Sequence, residues 1–297
     1  MISKLCNQCP RQCNASRQNA PAGYCHSPAT LRIARAALHP WEEPPISGAR
    51  GSGTVFFTGC NLRCVYCQNR PVSHQNKGRD VTEEQLAALM MRLQDEGAHN
   101  INLVTPTHYA LQLAEVLKSV KPSLHIPVVY NCGGYESVDT LRHLEGLVDI
   151  YLPDVKYCDN TLAIKYSSAP NYREIAFDAL REMLRQTGSC QFDGDGMMQR
   201  GVILRHLVLP GCRKDSIALL EALAKDFGTN AFQLSLMNQY TPEFATEAPY
   251  PELHRKVTTF EYESVLNRAL ELGFDGYFQD RASATASFTP DFQEPTF

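Results

Sequence analysis

The placement of cysteine constrains this chain more than any other feature of its sequence. Seven of the eleven cysteines lie in the first 67 residues, in two groups. Cys6, Cys9, Cys13 and Cys25 form C-x2-C-x3-C-x11-C, and Cys60, Cys64 and Cys67 form C-x3-C-x2-C. The 297 residues are 43% apolar, enough to bury a core without disulfide staples. Thiols gathered in this way therefore point to metal ligation. Cys132, Cys158, Cys190 and Cys212 are scattered singly and read as packed thiols.

A Pro/Gly-rich stretch over 40–48 separates the cysteine-rich head from the rest of the chain and reads as a boundary loop. The expected organisation is a head and linker over 1–47, a core over 48–285 and a tail over 286–297. Trp41, the sole tryptophan, is expected to pin the loop to the core. Beyond it, 54–58 is β-rich. The stretch 82–94 repeats Leu86, Leu89, Met90 and Leu93 at helical spacing after a Thr82/Gln85 capping box. Strands are expected over 100–104, 126–130, 148–152, 202–209 and 232–236. Helices are expected over 109–120, 137–144, 161–166, 172–187, 216–227 and 260–272. This order predicts an α/β fold with parallel strands and right-handed crossovers, an open sheet or an incomplete barrel of six units. In such barrels chemistry gathers where strands end. Those ends hold Gly59-Cys60, Thr105-Pro106-Thr107-His108, Asn131-Cys132-Gly133-Gly134, Pro153-Asp154, Pro210-Gly211 and Met237-Asn238-Gln239.

The Cys60 group comes directly after the first of these strands. A structural zinc site takes four ligands, and the nearest fourth candidate is His74. Three thiolates on a [4Fe–4S] cube would instead leave one iron open to a small molecule. The net charge of -4 gives no general reason to expect nucleic acid. Residues 1–41 hold no Asp or Glu but carry Lys4, Arg11, Arg17, Arg32 and Arg35. Tyr24 alone interleaves these cations, so they read as offsetting thiolate charge and not as a nucleic-acid arm. The longest apolar run, 86–91, is too short to span a membrane. The first six residues have no signal-peptide core, so a cytoplasmic location is expected.

The C-x3-C-x2-C spacing, with Tyr66 before the last cysteine, resembles the radical S-adenosylmethionine (SAM) superfamily. In that family the open iron takes the amino and carboxylate groups of SAM, and one electron cleaves the sulfonium to a 5′-deoxyadenosyl radical. Gly59-Cys60-Asn61-Leu62-Arg63-Cys64 and Cys67-Gln68-Asn69 are similar to the pyruvate formate-lyase activating enzymes. A homologue branch of those enzymes shares the Cys6/Cys9/Cys13/Cys25 head, Gly51-Ser52-Gly53-Thr54, Thr105-Pro106-Thr107-His108-Tyr109, the run from Asp149 to Asp154 and the run from Arg205 to Gly211. The resemblance covers nearly the whole chain. It implies a partial (β/α)6 TIM-like barrel with a small N-terminal cysteine-rich metal-binding head. It also implies a [4Fe–4S] cluster on Cys60, Cys64 and Cys67, SAM, and an electron donor such as flavodoxin or ferredoxin.

Some family positions carry over. A Gly-Gly-Glu segment that holds the amino group of SAM matches Thr105-Pro106-Thr107, so the glutamate is absent; backbone carbonyls and the Thr105 and Thr107 hydroxyls would serve instead. Two aspartates beside the methionyl carboxylate match Asn131 and Asp154, and losing one weakens any cation site there. An ordinary salt bridge from Asp154 to Lys156 is the plainer alternative. Arg205 matches a position near the adenosyl group, with a surface arginine as its alternative, and Asn238 falls on the ribose or adenine side. Gly133, Gly134 and Gly211 would let a substrate backbone approach closely.

The head suits either zinc or a second iron–sulfur cluster, with the long x11 gap favouring zinc. Three function classes fit these features. The leading one is a radical SAM enzyme acting on a glycine of a partner protein, or on a peptide, tRNA base or small metabolite. The others are an iron–sulfur electron carrier and a metal-binding interaction module. A carrier gains nothing from an open iron, which argues against the second.

Overall fold

The computed structural model describes residues 5–18, 21–279, 290 and 292. In chain order its strands and α-helices are β1 (Leu31–His39), α1 (Pro44–Ser47), β2 (Ser52–Phe57), α2 (Arg70–Ser73), β3 (Arg79–Val81), α3 (Glu83–Asp95), β4 (Ile101–Val104), α4 (Ala110–Val120), β5 (Val128–Cys132), α5 (Val138–Arg142), β6 (Ile150–Pro153), α6 (Asn160–Ser167), α7 (Tyr172–Thr187), β7 (Gln191–Phe192), β8 (Met198–Leu207), α8 (Arg213–Phe227), β9 (Gln233–Met237), α9 (Thr259–Leu272) and β10 (Gly276–Phe278). The sheet order is β10-β9-β8-β6-β5-β4-β2-β1-β3, with β7 paired to β8 off this path. From β10 to β2 the neighbours are parallel. The six expected strands are β2, β4, β5, β6, β8 and β9, and helices link them in the α/β order of a partial barrel.

The two-residue period of a strand sorts its side chains. Val128, Tyr130, Tyr151, Val202 and Leu204 face the helices and join the main core. Val129, Ile150, Leu152 and Ile203 face inward and pack with Met198 and with Ile46 of α1. The Pro-rich linker is thus drawn into the barrel: Ile46 is fully buried, and Asn100 Nδ2 donates to its carbonyl at 2.7 Å. Carrying the period forward puts Asn131, Asp154 and Arg205 on the inward face, each two residues beyond an inward apolar side chain.

Several expectations change. β1 lies inside the range assigned to the head, yet it pairs antiparallel with β2 from Ile33↔Phe57 to His39↔Ser52. A register shift between Ile33 and Arg35 breaks the alternation that would have marked it as a strand. Trp41 is 58% exposed, and the linker side chain buried in the barrel is Ile46. The α3 capping box forms as expected, with Gln85 N–H donating to Thr82 Oγ1 and Thr82 N–H to Gln85 Oε1. Among the scattered cysteines, Cys132 and Cys212 are buried and Cys158 and Cys190 half-buried. The tail expected over 286–297 lies outside the described residues except for Pro290 and Phe292. No helix among the described residues is long and apolar enough to cross a membrane.

Candidate active site

Beyond β2 the chain turns sharply at Gly59, whose φ is +82°. A Cβ there would lie 2.1 Å from Ser27 Oγ and 2.7 Å from Cys25 O, so only glycine fits. The loop after this turn is pinned to the end of α6, where Arg63 N–H donates to Ser167 O and Val65 N–H to Tyr166 O. Cys60, Cys64 and Cys67 form one wall of a cavity. Each sulfur has a hydrogen-bond partner: Leu62 N–H donates to Cys60 Sγ at 3.3 Å, Ser167 Oγ to Cys64 Sγ at 3.0 Å, and Ser73 Oγ lies 3.2 Å from Cys67 Sγ. Burial pushes all three thiols up, Cys67 to about 11. Only a bound cationic centre would keep them as thiolates at neutral pH. His74, the nearest fourth candidate, has its Nδ1 2.8 Å from Ser73 Oγ, the hydroxyl beside Cys67.

The facing wall is polar. Arg205 donates from Nε to Asp154 Oδ1 at 2.8 Å and from Nη2 to Asn131 Oδ1 at 2.5 Å. Lys156 Nζ donates to Asp154 Oδ2 at 2.6 Å. Burial alone would raise the Asp154 carboxyl, but Arg205 and Lys156 outweigh it and hold the group below its usual range. Beneath this wall the linker supplies Glu42, with Oε2 3.5 Å from Arg205 Nη1, and Glu43, with Oε1 4.0 Å from Arg205 Nε. Burial pushes Glu42 up to about 7 against the pull of Arg205. The Tyr172 hydroxyl ties the strand ends together, 2.8 Å from Gly133 O and 2.9 Å from Asp154 O, and accepts from Lys156 N–H. Thr105 completes the wall with φ +58°, a costly conformation for a β-branched residue, held by its N–H bond to Asn131 O.

Thr105, Asn131, Asp154 and Arg205 thus line the same cavity as the three cysteines. Thr107 and Asn238 do not. Thr107 is buried in the 3-10 turn Thr107–Tyr109 and donates to Glu136 Oε1 at 2.6 Å. Asn238 sits between two lining residues, Met237 and Gln239, and its own N–H donates to Gln279 Oε1. Arg205 is no surface arginine: its side chain is 16% exposed. Gly134 is committed internally, since a Cβ there would come within 2.2 Å of Asp154 O. The sequence offered Lys156 only as a salt-bridge partner of Asp154 and Tyr66 only as the aromatic before Cys67, and it did not mark Glu42, Glu43, Ser73, Ser167 or Tyr240.

The head cysteines are gathered behind the Cys60 loop. Cys6 bridges to Ala15, and Tyr24 N–H donates to Cys13 Sγ at 3.3 Å. Cys9 is buried; burial pushes its thiol up to about 12, with Cys25 and Cys6 adding to the shift against a bond from the Arg11 backbone. Two arginines clasp head and loop in opposite directions. Arg11 Nε donates to Asn61 O, and Arg63 Nη2 to Tyr24 O, both at 2.8 Å. The Arg11 guanidinium also stacks 3.7 Å above the Tyr24 ring. Among the described residues, no three His, Cys, Asp or Glu side chains are set to hold a single metal ion.

The chain belongs to the radical SAM superfamily, whose family model matches residues 54–211. It is similar to an uncharacterized protein of Methanocaldococcus jannaschii, 28% identical over 286 residues that cover 92% of this chain and 77% of that one. It is also similar to the pyruvate formate-lyase-activating enzyme of Clostridium pasteurianum, 31% identical over 133 residues, 41% of this chain and 53% of that enzyme. Among solved structures, HydG, a maturase of the FeFe-hydrogenase, superposes with a TM-score of 0.50 at 14% identity, over 73% of this chain and 49% of HydG. That likeness concerns the fold alone. Membership of the superfamily implies a [4Fe–4S] cluster and SAM. Three sulfurs on one cavity wall, each with a hydrogen-bond partner and facing a wall that carries both charges, fit that pair.

Proposed function

We propose that this protein reductively cleaves SAM in the cavity between these two walls and directs the resulting radical at a carbon–hydrogen bond of a substrate held at the barrel mouth. The observation that carries the reading is the meeting of the Cys60/Cys64/Cys67 wall and the Asn131/Asp154/Lys156/Arg205 wall across one cavity. Cys60, Cys64 and Cys67 would be the residues that hold the cluster. When bound, the cluster supplies the electron that breaks the sulfonium of SAM.

The protein's own residues bind and orient. Lys156 has three N–H donors, of which Asp154 takes one, so it can also meet the methionyl carboxylate. Asp154, held ionised between two cations, accepts from the amino group. The glutamate of the activating enzymes falls at Thr107, which points to Glu136, so the Thr105 hydroxyl and backbone, which line the cavity, would meet the amino group instead. Tyr66, Met237, Tyr240 and Phe244 give the cavity its apolar lining and limit water around the reacting atoms.

The substrate we favour is a backbone glycine of a partner protein. Its support is the similarity to an activating enzyme over part of the chain. Gly134 does not add to it, because it is packed against Asp154 O, whereas Gly133 lines the cavity. A flavodoxin- or ferredoxin-like donor would deliver the electron, and Cys6, Cys9, Cys13 and Cys25 would hold a second metal, zinc or iron–sulfur. The test is to incubate anaerobically reconstituted enzyme with SAM, a reductant and candidate partners deuterated at glycine. Deuterium in 5′-deoxyadenosine supports the glycine reading. Deuterium only from a peptide side chain, a tRNA or a metabolite overturns it and leaves SAM cleavage standing. No SAM-dependent 5′-deoxyadenosine at all overturns both.

A further inference from the structure

We infer that two buried serines, Ser167 and Ser73, set the reduction potential of the cluster by donating hydrogen bonds to its cysteine sulfurs, with Ser167 fed by a directed chain of hydroxyls. The inference rests on the reading that Cys60, Cys64 and Cys67 are the cluster ligands.

The chain runs Tyr66 Oη, Tyr157 Oη, Ser167 Oγ, Cys64 Sγ, with successive separations of 2.6, 2.7 and 3.0 Å. Taken alone, each hydroxyl in it could be donor or acceptor. A ligating thiolate is an acceptor only, and that fixes every proton upstream. Ser167 must donate to Cys64, so Tyr157 must donate to Ser167, and Tyr66 to Tyr157. Ser167 is fully buried, Tyr157 nearly so, and Tyr66 is 7% exposed. In such surroundings each bond polarises the next toward the sulfur. The same logic acts at Cys67. Ser73, also buried, must donate to Cys67 Sγ, and the proton between Ser73 Oγ and His74 must then sit on His74 Nδ1. Cys60 receives a backbone N–H, from Leu62.

Two of the three sulfurs therefore depend on side-chain hydroxyls that a substitution can delete. Ser167 lies 103 residues from Cys64, at the end of α6, so the contact is made by the fold and not by the loop's own turn. Adding an electron increases the negative charge on the sulfurs, so a donor aimed at them stabilises the reduced cluster more than the oxidised one. Hydrogen bonds to the sulfurs are among the levers that set such potentials. Removing a donor should make the cluster harder to reduce.

The experiment is an EPR-monitored redox titration, with dithionite and titanium(III) citrate as one-electron reductants, of the signal that changes when SAM is added. Iron and sulfide contents are measured in parallel. Ser167→Ala is expected to lower the equilibrium constant for one-electron reduction about tenfold, equal to about 59 mV. Ser73→Ala should act in the same direction, and Ser167→Thr, which keeps the hydroxyl, should return the potential toward wild type. Tyr157→Phe leaves Ser167 in place and removes only the proton donated to it; it should give a smaller shift of the same sign. If Ser167→Ala fails to take up iron, Tyr157→Phe decides. An unchanged or raised potential at full iron content in these variants overturns the inference. Survival of the SAM-responsive signal when Cys60, Cys64 and Cys67 are all replaced would instead overturn the ligand assignment beneath it.

Discussion

Two cysteine groups sit back to back in this molecule, and they are held in different ways. Cys60, Cys64 and Cys67 ride on a loop anchored by hydrogen-bonded scaffold on both sides: β2 before it and the end of α6 beneath it. Cys6, Cys9, Cys13 and Cys25 belong to a segment whose described residues include one isolated bridge between Cys6 and Ala15 and another between Ala22 and Ser27. Among its described residues, the one Leu, Ile, Val or Met side chain, Leu5, is 46% exposed. Polar side chains dock it instead. Gln8 Nε2 reaches His108 O at 2.6 Å, and Arg17 Nη1 donates to the same oxygen at 2.5 Å. A scaffold with its own core can keep three thiols in place without a metal, whereas a segment with almost no core needs its ligands to be joined.

Replacing Cys60, Cys64 and Cys67 together by Ala tests the first half of that contrast and should have the largest effect on activity. SAM cleavage is expected to fall to the uncatalysed background, measured as 5′-deoxyadenosine. The barrel should keep its melting cooperativity, because the loop's backbone bonds to Tyr166 and Ser167 do not involve the sulfurs. Collapse of the thermal transition would mean that the two groups are alike.

Replacing Cys9, Cys13 and Cys25 by Ala tests the second half. Metal ligation can supply on the order of 10 kcal/mol of folding energy to a small segment. Its loss should open residues 5–30 to limited proteolysis while the rest of the chain resists. Metal analysis should fall by about one zinc or about four irons, which also tells the two candidate centres apart. A protease-resistant head with unchanged metal content would break the comparison.

How much of this could be read from the sequence differs by the kind of signal. The C-x3-C-x2-C group and the six parallel strands rest on local spacing and period, and both were legible. β1 was not, because the register shift at Ile33/Arg35 scrambles its alternation. Thr107 entered through a match to a family segment, and position in a motif does not show that the 3-10 turn after β4 aims its side chain at Glu136. Glu42 and Ser167 carry no local mark; their partners, Arg205 and Cys64, lie 163 and 103 residues away. Asp154 was open between a SAM contact and a salt bridge. The structure contains the salt bridge, and it leaves the carboxylate lining the cavity.

The clasp between the two regions offers a subtler test. Arg11→Ala removes the bond to Asn61 O and the stacking on Tyr24, while leaving every cysteine in place. Such contacts are worth about 1–2 kcal/mol in partly buried positions. The expected outcome is a several-fold rise in hydrogen exchange at the amides of 59–63, seen by mass spectrometry, with metal content unchanged. No change in that loop would make head and barrel independent neighbours.

The smallest effect should come from Glu261, which ties the loop after β8 to the start of α9. Its Oε1 accepts from Gly211 N–H at 2.7 Å, at the loop after β8, and both oxygens take the Arg255 guanidinium. It also closes the capping box of α9 with Thr258. The bond from Arg255 is the largest influence on the carboxyl and, with the Thr258 and Gly211 amides, outweighs burial, lowering the group to about 2. A depressed carboxyl adds stability above its unfolded value and loses it as pH falls through the folded one. The contribution is therefore complete above about pH 4.5 and gone near pH 2. Because Arg255 is 43% exposed, solvent screening cuts the full shift to about 1–2 kcal/mol. Glu261→Gln should lower the melting temperature by about 2–8 °C at pH 7. The gap to wild type should narrow steadily between pH 4.5 and the acid limit of folding. A gap that stays constant across that range would mean that Glu261 acts through shape alone and not through its charge.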